Sequence, residues 1–375
     1  MVKRGLITPD DAASVGREKA DAARVVMPGQ TKLTRLAISG CAQVQFAALD
    51  AEQDGGPDPA ATAHFLMRRV YVTMKAEFGP EWRAQLTYNF SAQLFDVAMV
   101  EWGHPEEFTV DAGYRMVNFG REQRGSSGVL KAIERSGVTR WFTESNNGTR
   151  LGAGSYRVGV FADGKAGDFL WGAAITNPEQ PTTNAMASGF GGAGNNTPAL
   201  WLNGGHVRKG AGSTLATGVA LGVLPDQGGR IVGKGDDLVV GNASAEYTAG
   251  RFNLLAEAFA ADNAGGAVDG SNSRAWGAYA QPAWAFTPRF TGVARISYLD
   301  TDGRGATLCD VVPGTPLTRA NGRVWDAYLG GVWYFRGDDL KISAGFVTAR
   351  GEGTPAGGED DSEAMGVRSQ LQMRF

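Results

Sequence analysis

The sequence predicts an all-β fold, a 16-stranded antiparallel transmembrane β-barrel with a long loop folded into its lumen and a short helical extension at the N-terminus. Three observations carry this. From Leu33 onward, apolar and polar residues alternate with a period of two, so each strand meets two different solvents on its two faces. The connections sort almost strictly into short turns and long loops in turn, which a barrel with one turn rim and one loop rim requires and a soluble sandwich does not. The chain closes on Ser369-Gln370-Leu371-Gln372-Met373-Arg374-Phe375, a fully patterned strand ending on an aromatic residue, where soluble domains tend to fray. Taken alone, that last stretch also fits the edge strand of a soluble β-sandwich.

Residues 1–30 stand apart. Thr8-Pro9-Asp10-Asp11 reads as an N-cap, a proline at the first helical position and acids in the first turn, with a helix following to about Val25. This segment is expected as a periplasmic helical extension preceding a barrel over 31–375, although a helix lying over a soluble core fits the pattern equally. Strands are expected near 33–49, 64–78, 82–91, 93–103, 107–118, 150–162, 168–178, 198–208, 213–224, 237–247, 251–262, 274–286, 289–300, 324–335, 339–350 and 364–375. Pro282 cannot donate to a ladder, so a bulge is expected in the twelfth. Gly79-Pro80-Glu81, His104-Pro105-Glu106, Asp163 to Gly167, Thr248-Ala249-Gly250, Thr287-Pro288 and Arg336-Gly337-Asp338 form the turns, and only the link after Ser91 breaks the alternation. An even strand number puts both termini on the turn rim, expected to be periplasmic. Trp82, Tyr88, Phe90, Phe108, Tyr114, Trp276, Trp284, Phe286, Phe290, Tyr298 and Phe375 share the outward parity, as interfacial girdles do.

Composition agrees and excludes other classes. No run of eighteen apolar residues offers a transmembrane helix, and no apolar core follows Met1-Val2-Lys3-Arg4 as a secretory signal would require. The net charge of −3 argues against a nucleic-acid partner. Cys41 and Cys309 are too far apart in sequence for a metal motif, and His64, His104 and His206 lack ligand spacing. Gly189 to Gly194 matches a dinucleotide fingerprint by letter but lacks the flanking strand and helix, so it reads as a glycine-rich loop. With no nucleophile elbow or other catalytic constellation, neither an enzyme nor a cofactor or metal is expected. Glu359-Asp360-Asp361 reads as a solvated loop; binding cations among lipopolysaccharide phosphates is the sharper alternative.

Asp111-Ala112-Gly113-Tyr114-Arg115-Met116-Val117-Asn118-Phe119-Gly120-Arg121-Glu122-Gln123, then Ser126-Ser127 and Glu134-Arg135-Ser136, resembles the signature of the phosphate-selective porin O and P family. Arg68-Arg69-Val70-Tyr71, Phe95-Asp96 with Glu101-Trp102, Ala256-Glu257, Tyr279-x-Gln281, Arg295-x-Ser297-Tyr298, Gly331-x-Trp333-Tyr334 and Arg368-x-Gln370 are similar in order and spacing, over about 33–375. The resemblance implies an outer-membrane barrel, usually a homotrimer among outer-membrane lipid and lipopolysaccharide, with loop 119–149 as the constriction. It implies that Arg68, Arg69, Tyr71, Asp96, Ser126 and Ser127 hold the places that serve anion passage in phosphate-binding members. Two cation positions of that pattern are occupied here by Cys41 and Gly128, which removes much of the field that would hold a dianion.

The residues themselves support a related expectation. Arg35, Arg69, Lys75, Arg83, Arg115, Arg157, Arg295, Lys341, Arg368 and Arg374 fall on the inward parity, against Glu77, Asp111 and Glu257 as clear inward acids. Such a wall favours small anions, although any one arginine can equally be neutralised by a neighbouring acid. Adjacent Arg68 and Arg69 cannot both point inward on a regular strand, so either the chain bulges there or Arg68 snorkels to the rim. Arg121-Glu122 and Glu134-Arg135 are expected to pin the constriction loop to the wall, and Arg69→Ala to lower anion over cation permeability. The expected pore set is therefore Arg68, Arg69, Tyr71, Asp96, Arg115, Arg121, Ser126, Ser127, Glu134 and Arg135. The function expected is passive diffusion of small hydrophilic solutes with a modest anion preference. A channel specific for carbohydrate or other uncharged solutes, and a secreted soluble sandwich, are the alternatives.

Overall fold

The computed structural model describes residues 33–105, 107–179, 197–230, 236–316 and 319–375. The expected N-terminal helix and the 189–194 glycine loop lie outside the described residues. Sixteen strands form one closed antiparallel barrel: β1 (Leu33–Gln53), β2 (Thr62–Phe78), β3 (Trp82–Asn89), β4 (Leu94–His104), β5 (Phe108–Met116), β6 (Tyr156–Ala166), β7 (Phe169–Thr176), β8 (Ala199–Lys209), β9 (Ser213–Leu224), β10 (Leu238–Ala249), β11 (Phe252–Asn263), β12 (Trp276–Thr287), β13 (Phe290–Asp300), β14 (Arg323–Arg336), β15 (Leu340–Glu352) and β16 (Ser362–Arg374). Each strand pairs with its sequence neighbours. The last closes on the first, with Cys41 opposite Arg374 and Gln53 opposite Ser362. Phe375 extends the closure: its N–H donates to Gly40 O (3.1 Å) and its carbonyl accepts from Gly40 N (2.8 Å). Closure rules out the sandwich.

The period-two pattern sets the two faces. Leu200, Leu202, Val219, Ile296, Leu329 and Phe346 point out and are exposed, while Gln43, Gln45, Glu257 and Gln370 on the opposite parity are buried inside. The girdle positions Trp82, Trp276, Trp284, Phe286 and Phe375 are exposed as expected. Tyr114 is not: it is 7 % exposed and its ring stacks on Tyr156 at 5.8 Å.

Three local departures have physical causes. The sixth strand runs 156–166 rather than 150–162, because Leu151, Ala153 and Gly154 donate their N–H groups to Trp141, Phe142 and Thr143 of the inward loop instead of joining the ladder. Pro282 produces no bulge. The pairing of β12 with β13 skips from Ala280↔Ile296 to Ala283↔Val293 without a change of register, so the ladder simply loses its bonds there. The expectation of a uniformly wet interior is also too simple. Segments 117–155 and 301–316 both lie inside the barrel, where Val138, Trp141, Phe142 and Leu308 are fully buried with inward Leu49, Phe259, Val324 and Tyr328 in one apolar cluster. Each such side chain contributes roughly 1.5–3 kcal/mol by leaving water.

Candidate functional site

The segment 117–155 is a chain of capped turns. Gly120, at φ 79°, admits a four-residue helix, α1 (Arg121–Arg124). Ser126 Oγ then accepts from Gly128 N, and Ser136 caps a second helix, α2 (Gly137–Thr143), by accepting from Thr139 N (3.0 Å). A Cβ on Gly137 would lie 2.3 Å from Asp326 Oδ2 and 2.5 Å from Val311 Cβ, so only glycine lets α2 approach the wall this closely. Trp141 Nε1 donates to Gly305 O (3.1 Å), and Phe142 stacks on Phe259 at 5.2 Å.

The paired arginines are placed by a bulge. The register of β1 on β2 shifts between Gln43↔Arg69 and Val44↔Met67, which makes Arg68 the extra residue. Both guanidiniums therefore reach one carboxylate on the inward loop. Arg68 donates to Glu134 through Nε (2.7 Å) and Nη2 (3.1 Å), Arg69 through Nη2 (3.3 Å), and Gln45 Nε2 adds a fourth bond at 2.7 Å. Burial pushes the Glu134 carboxyl up, but Arg69 and Arg68 outweigh it and hold it well below the usual carboxylate range. A second bulge, between Thr87↔Val97 and Tyr88↔Phe95, makes Asp96 the extra residue of β4, facing Arg69 and Tyr71.

The other expected residues also anchor the loop. Arg121 donates through Nε to Glu246 (3.0 Å), and its backbone N–H and that of Glu122 are both taken by Glu257. Glu122 accepts from Ser136 N (2.9 Å) and lies 3.5 Å from Arg295 Nη1. The Arg135 guanidinium donates to the carbonyls of Glu122, Gln123 and Gly125. Ser127 O accepts from Gln43 Nε2 (3.2 Å). Arg115 is held away from this cluster by Asp111 (2.9 Å) and Asp163 (2.7 Å). At Gly128, Lys341 arrives from the wall. It spends its three hydrogens on Gly128 O (2.8 Å), Leu130 O (3.0 Å) and Asp338 (2.7 Å).

A second inward loop, 301–316, closes over the first. Thr307 and Asp310 form a capping box on α3 (Leu308–Val311). Asp310 also accepts from Asn147 (2.8 Å) and Thr149 (2.7 Å). Burial raises its carboxyl, and the bonds from Thr149, Thr307 and Asn147 bring it below its ordinary value. Fully buried Arg304 donates to the carbonyls of Thr149, Gly228 and Arg150, locking three loops together.

The free space lies on the far side of the inward loop. A cavity of ≈ 400 Å³ separates residues 118–131 from the wall of β7 to β12. That wall is mostly small or amide-bearing: Asn203, Gly205, Ala216, Gly218, Ala220, Asn242, Ser244 and Asn253. The loop side carries Arg121, Arg124 and Lys131, and two carboxylates complete the lining, Glu122 and Glu246. Of the ten expected pore residues, Arg121 lines this cavity and the other nine do not. Arg124 and Lys131 were missed by sequence reasoning, since neither lies in a signature position. Lys131 donates to Asn253 Oδ1 (2.9 Å), whereas the guanidinium of exposed Arg124 makes no hydrogen bond or ion pair among the described residues. The wall arginines are largely neutralised. Arg35 pairs with Glu77, Arg83 with Glu101, Arg115 with Asp111 and Asp163, and Arg295 with Glu122. The inward surplus of cations counted from parity thus overlooked Glu101, Asp163 and Glu246.

A closed barrel with a polar cavity beside an inward charged loop defines a porin-type channel. The sequence carries the match at family level: the chain belongs to the family phosphate-selective porin O and P, whose profile matches residues 40–375. A comparison with curated proteins gives no match. Among solved structures, the outer membrane channel DcaP of Acinetobacter baumannii is 12 % identical, with a TM-score of 0.57 over 90 % of this chain and 97 % of that one. An anion-selective porin from Comamonas acidovorans is 11 % identical, with a TM-score of 0.56 over 91 % and 100 %. OmpT of Vibrio cholerae, in a trimer form, is 11 % identical, with a TM-score of 0.50 over 89 % and 99 %. At such identities the likeness is one of fold. Family and barrel together point to a channel of the outer membrane.

Proposed function

We propose that the protein is a passive diffusion channel of the outer membrane for small hydrophilic solutes, with a modest preference for anions set on the inward loop. The observation that carries this is the unpaired Arg124 guanidinium in the ≈ 400 Å³ cavity. Three cations, Arg121, Arg124 and Lys131, less two carboxylates, Glu122 and Glu246, leave one positive charge on its lining. Both carboxylates are engaged, Glu246 by Arg121 and Glu122 by Ser136 N and Arg295, so neither offers a cation a free site. One net charge in a wet lumen filters and does not trap, which suits anions as a class. With Cys41 and Gly128 at the departed cation positions, specific phosphate capture is not part of this reading. The nine remaining signature residues act as scaffold: Arg68, Arg69, Glu134, Arg135, Ser126 and Ser127 fix the loop, and Tyr71, Asp96 and Arg115 fix the wall behind it.

The short turns at 79–81, 167–168, 250–251, 288–289 and 337–339 share the rim of Phe375, which supports a periplasmic position for this rim and for the C-terminus. A homotrimer in lipid and lipopolysaccharide is supported by the trimer form of the OmpT neighbour and by the exposed apolar outer face. The amide-rich wall of Asn203, Asn242 and Asn253 supports a second reading, a channel for uncharged solutes such as carbohydrate. Planar-bilayer recording in potassium chloride separates the two. The anion reading expects a zero-current potential of anion-selective sign and a conductance that ignores added sugar, and a potential without anion preference together with a conductance that falls with added sugar would replace it.

A further inference from the structure

Across the inward loop from the larger cavity lies a small one, ≈ 20 Å³, between the constriction segment, the second inward loop and the wall of β13 to β16. Its lining includes Arg368 and Arg295 from the wall, Glu134 from one loop and Val311 to Pro313 from the other. Arg368 is 4 % exposed, and among the described residues its Nε and Nη2 have no hydrogen-bond partner. Arg295 Nε is buried and unpartnered too. Leaving guanidinium N–H groups dry and unmatched costs more than an ordinary lost hydrogen bond, so such groups call for a counter-ion or water. The carboxylates at hand are spent. Glu134 serves Arg68, Arg69 and Gln45, and Asp326 accepts from Ser297 Oγ. Of the three guanidiniums on the lining, Arg135 is held by backbone carbonyls and Arg295 pairs with Glu122 from just outside it, so Arg368 is the one with no ion-pair partner among the described residues.

We propose that this cavity binds one halide-sized monovalent anion, which joins Arg368 and Arg295 to both inward loops and holds the 301–316 segment in the lumen. The space open to a water-sized body is only ≈ 20 Å³, against ≈ 400 Å³ in the larger cavity, which favours a compact monatomic anion such as chloride over a bulkier oxyanion. The floor at Val311–Pro313 belongs to the second loop and the Glu134 side to the first, so an anion there ties the two together. This site is separate from the proposed filter at Arg124 and stands or falls without it.

Two measurements on the full barrel test the site. Crystals soaked in bromide are expected to show an anomalous peak between Arg368 and Arg295 that is lost in Arg368→Met. In solution, hydrogen exchange at Val312 and Thr315, whose N–H groups bond Leu308 O and Val312 O, is expected to be at least several-fold slower in chloride than in gluconate, an anion too large to enter. Arg368→Met is expected to abolish that difference. Exchange that is equal in the two salts, or a wild-type cavity holding water with no bromide signal, overturns the proposal. So does a peak that persists in Arg368→Met.

Discussion

Replacing Glu134 by glutamine removes the one negative charge at a point where Arg68 Nε stands at 2.7 Å and Arg69 Nη2 at 3.3 Å. The Glu134 and Arg69 side chains are 6 % and 5 % exposed and Arg68 is 26 % exposed, so water screens the cluster little. Deleting one partner of a buried ion pair costs about 3–5 kcal/mol. Glutamine keeps one acceptor and Arg68 is partly wet, so the lower end applies, about 3 kcal/mol, or about a hundredfold in an opening equilibrium. The assay is denaturant unfolding of the barrel refolded in detergent micelles, with hydrogen exchange over residues 130–136 locating the loss. Adding Arg68→Met removes one of the stranded cations, and the double variant is expected to recover at least about 1 kcal/mol relative to additivity. A Glu134→Gln protein within about 0.5 kcal/mol of wild type, or a strictly additive double, would refute the claim that this cluster pins the loop.

Other outcomes follow from the same geometry. Because the folded Glu134 carboxyl lies well below its ordinary value, its contribution is complete above the unfolded value of about 4.3 and is lost only as pH falls through the lower folded one. Exchange protection of the loop should therefore be the same at pH 7 and pH 5, and a drop at pH 5 would contradict the pairing. Gly137→Ala should destabilise the barrel by about 1–3 kcal/mol in the same unfolding assay, since its Cβ would meet Asp326 and Val311. Arg304→Met strands the carbonyls of Thr149, Gly228 and Arg150, at a cost of about 1.5–3 kcal/mol, and should speed limited proteolysis between 301 and 316 while the strands stay intact. Arg69→Ala should resemble Glu134→Gln in stability rather than act on selectivity through its own charge, because Arg69 is buried and outside the open cavity.

What sequence conveyed and what it did not divide along physical lines. Alternation reports solvent on either side of a strand, so strand number, loop sorting and closure at Phe375 were all readable. The Arg68-Arg69 pair was readable as a bulge because two adjacent cations cannot share a face of a regular strand, and the register shift at Gln43 confirms it. Cross-strand neutralisation was not readable. Glu101 meets Arg83 and Asp163 meets Arg115 through register and side-chain reach, which parity does not encode. The second inward loop was hidden because Leu308, Val311 and Val312 sit in an aperiodic stretch whose burial depends on Trp141 and Phe142, more than 160 residues away. Arg124 was hidden for the opposite reason. A charge gains its role in a channel by lacking a partner, and that is a property of the folded surroundings.

The most direct test of the account is the zero-current potential across a potassium chloride gradient for wild type and Arg124→Glu. The substitution takes the cavity lining from one net positive charge to one net negative charge. At about 10 Å, an effective dielectric near 20 and physiological screening, each unit of charge is worth somewhat under about 1 kcal/mol to a passing ion. The account predicts an anion-selective wild type and a potential of reversed sign in the variant. A cation-selective wild type, or a potential that Arg124→Glu leaves unchanged, would contradict it.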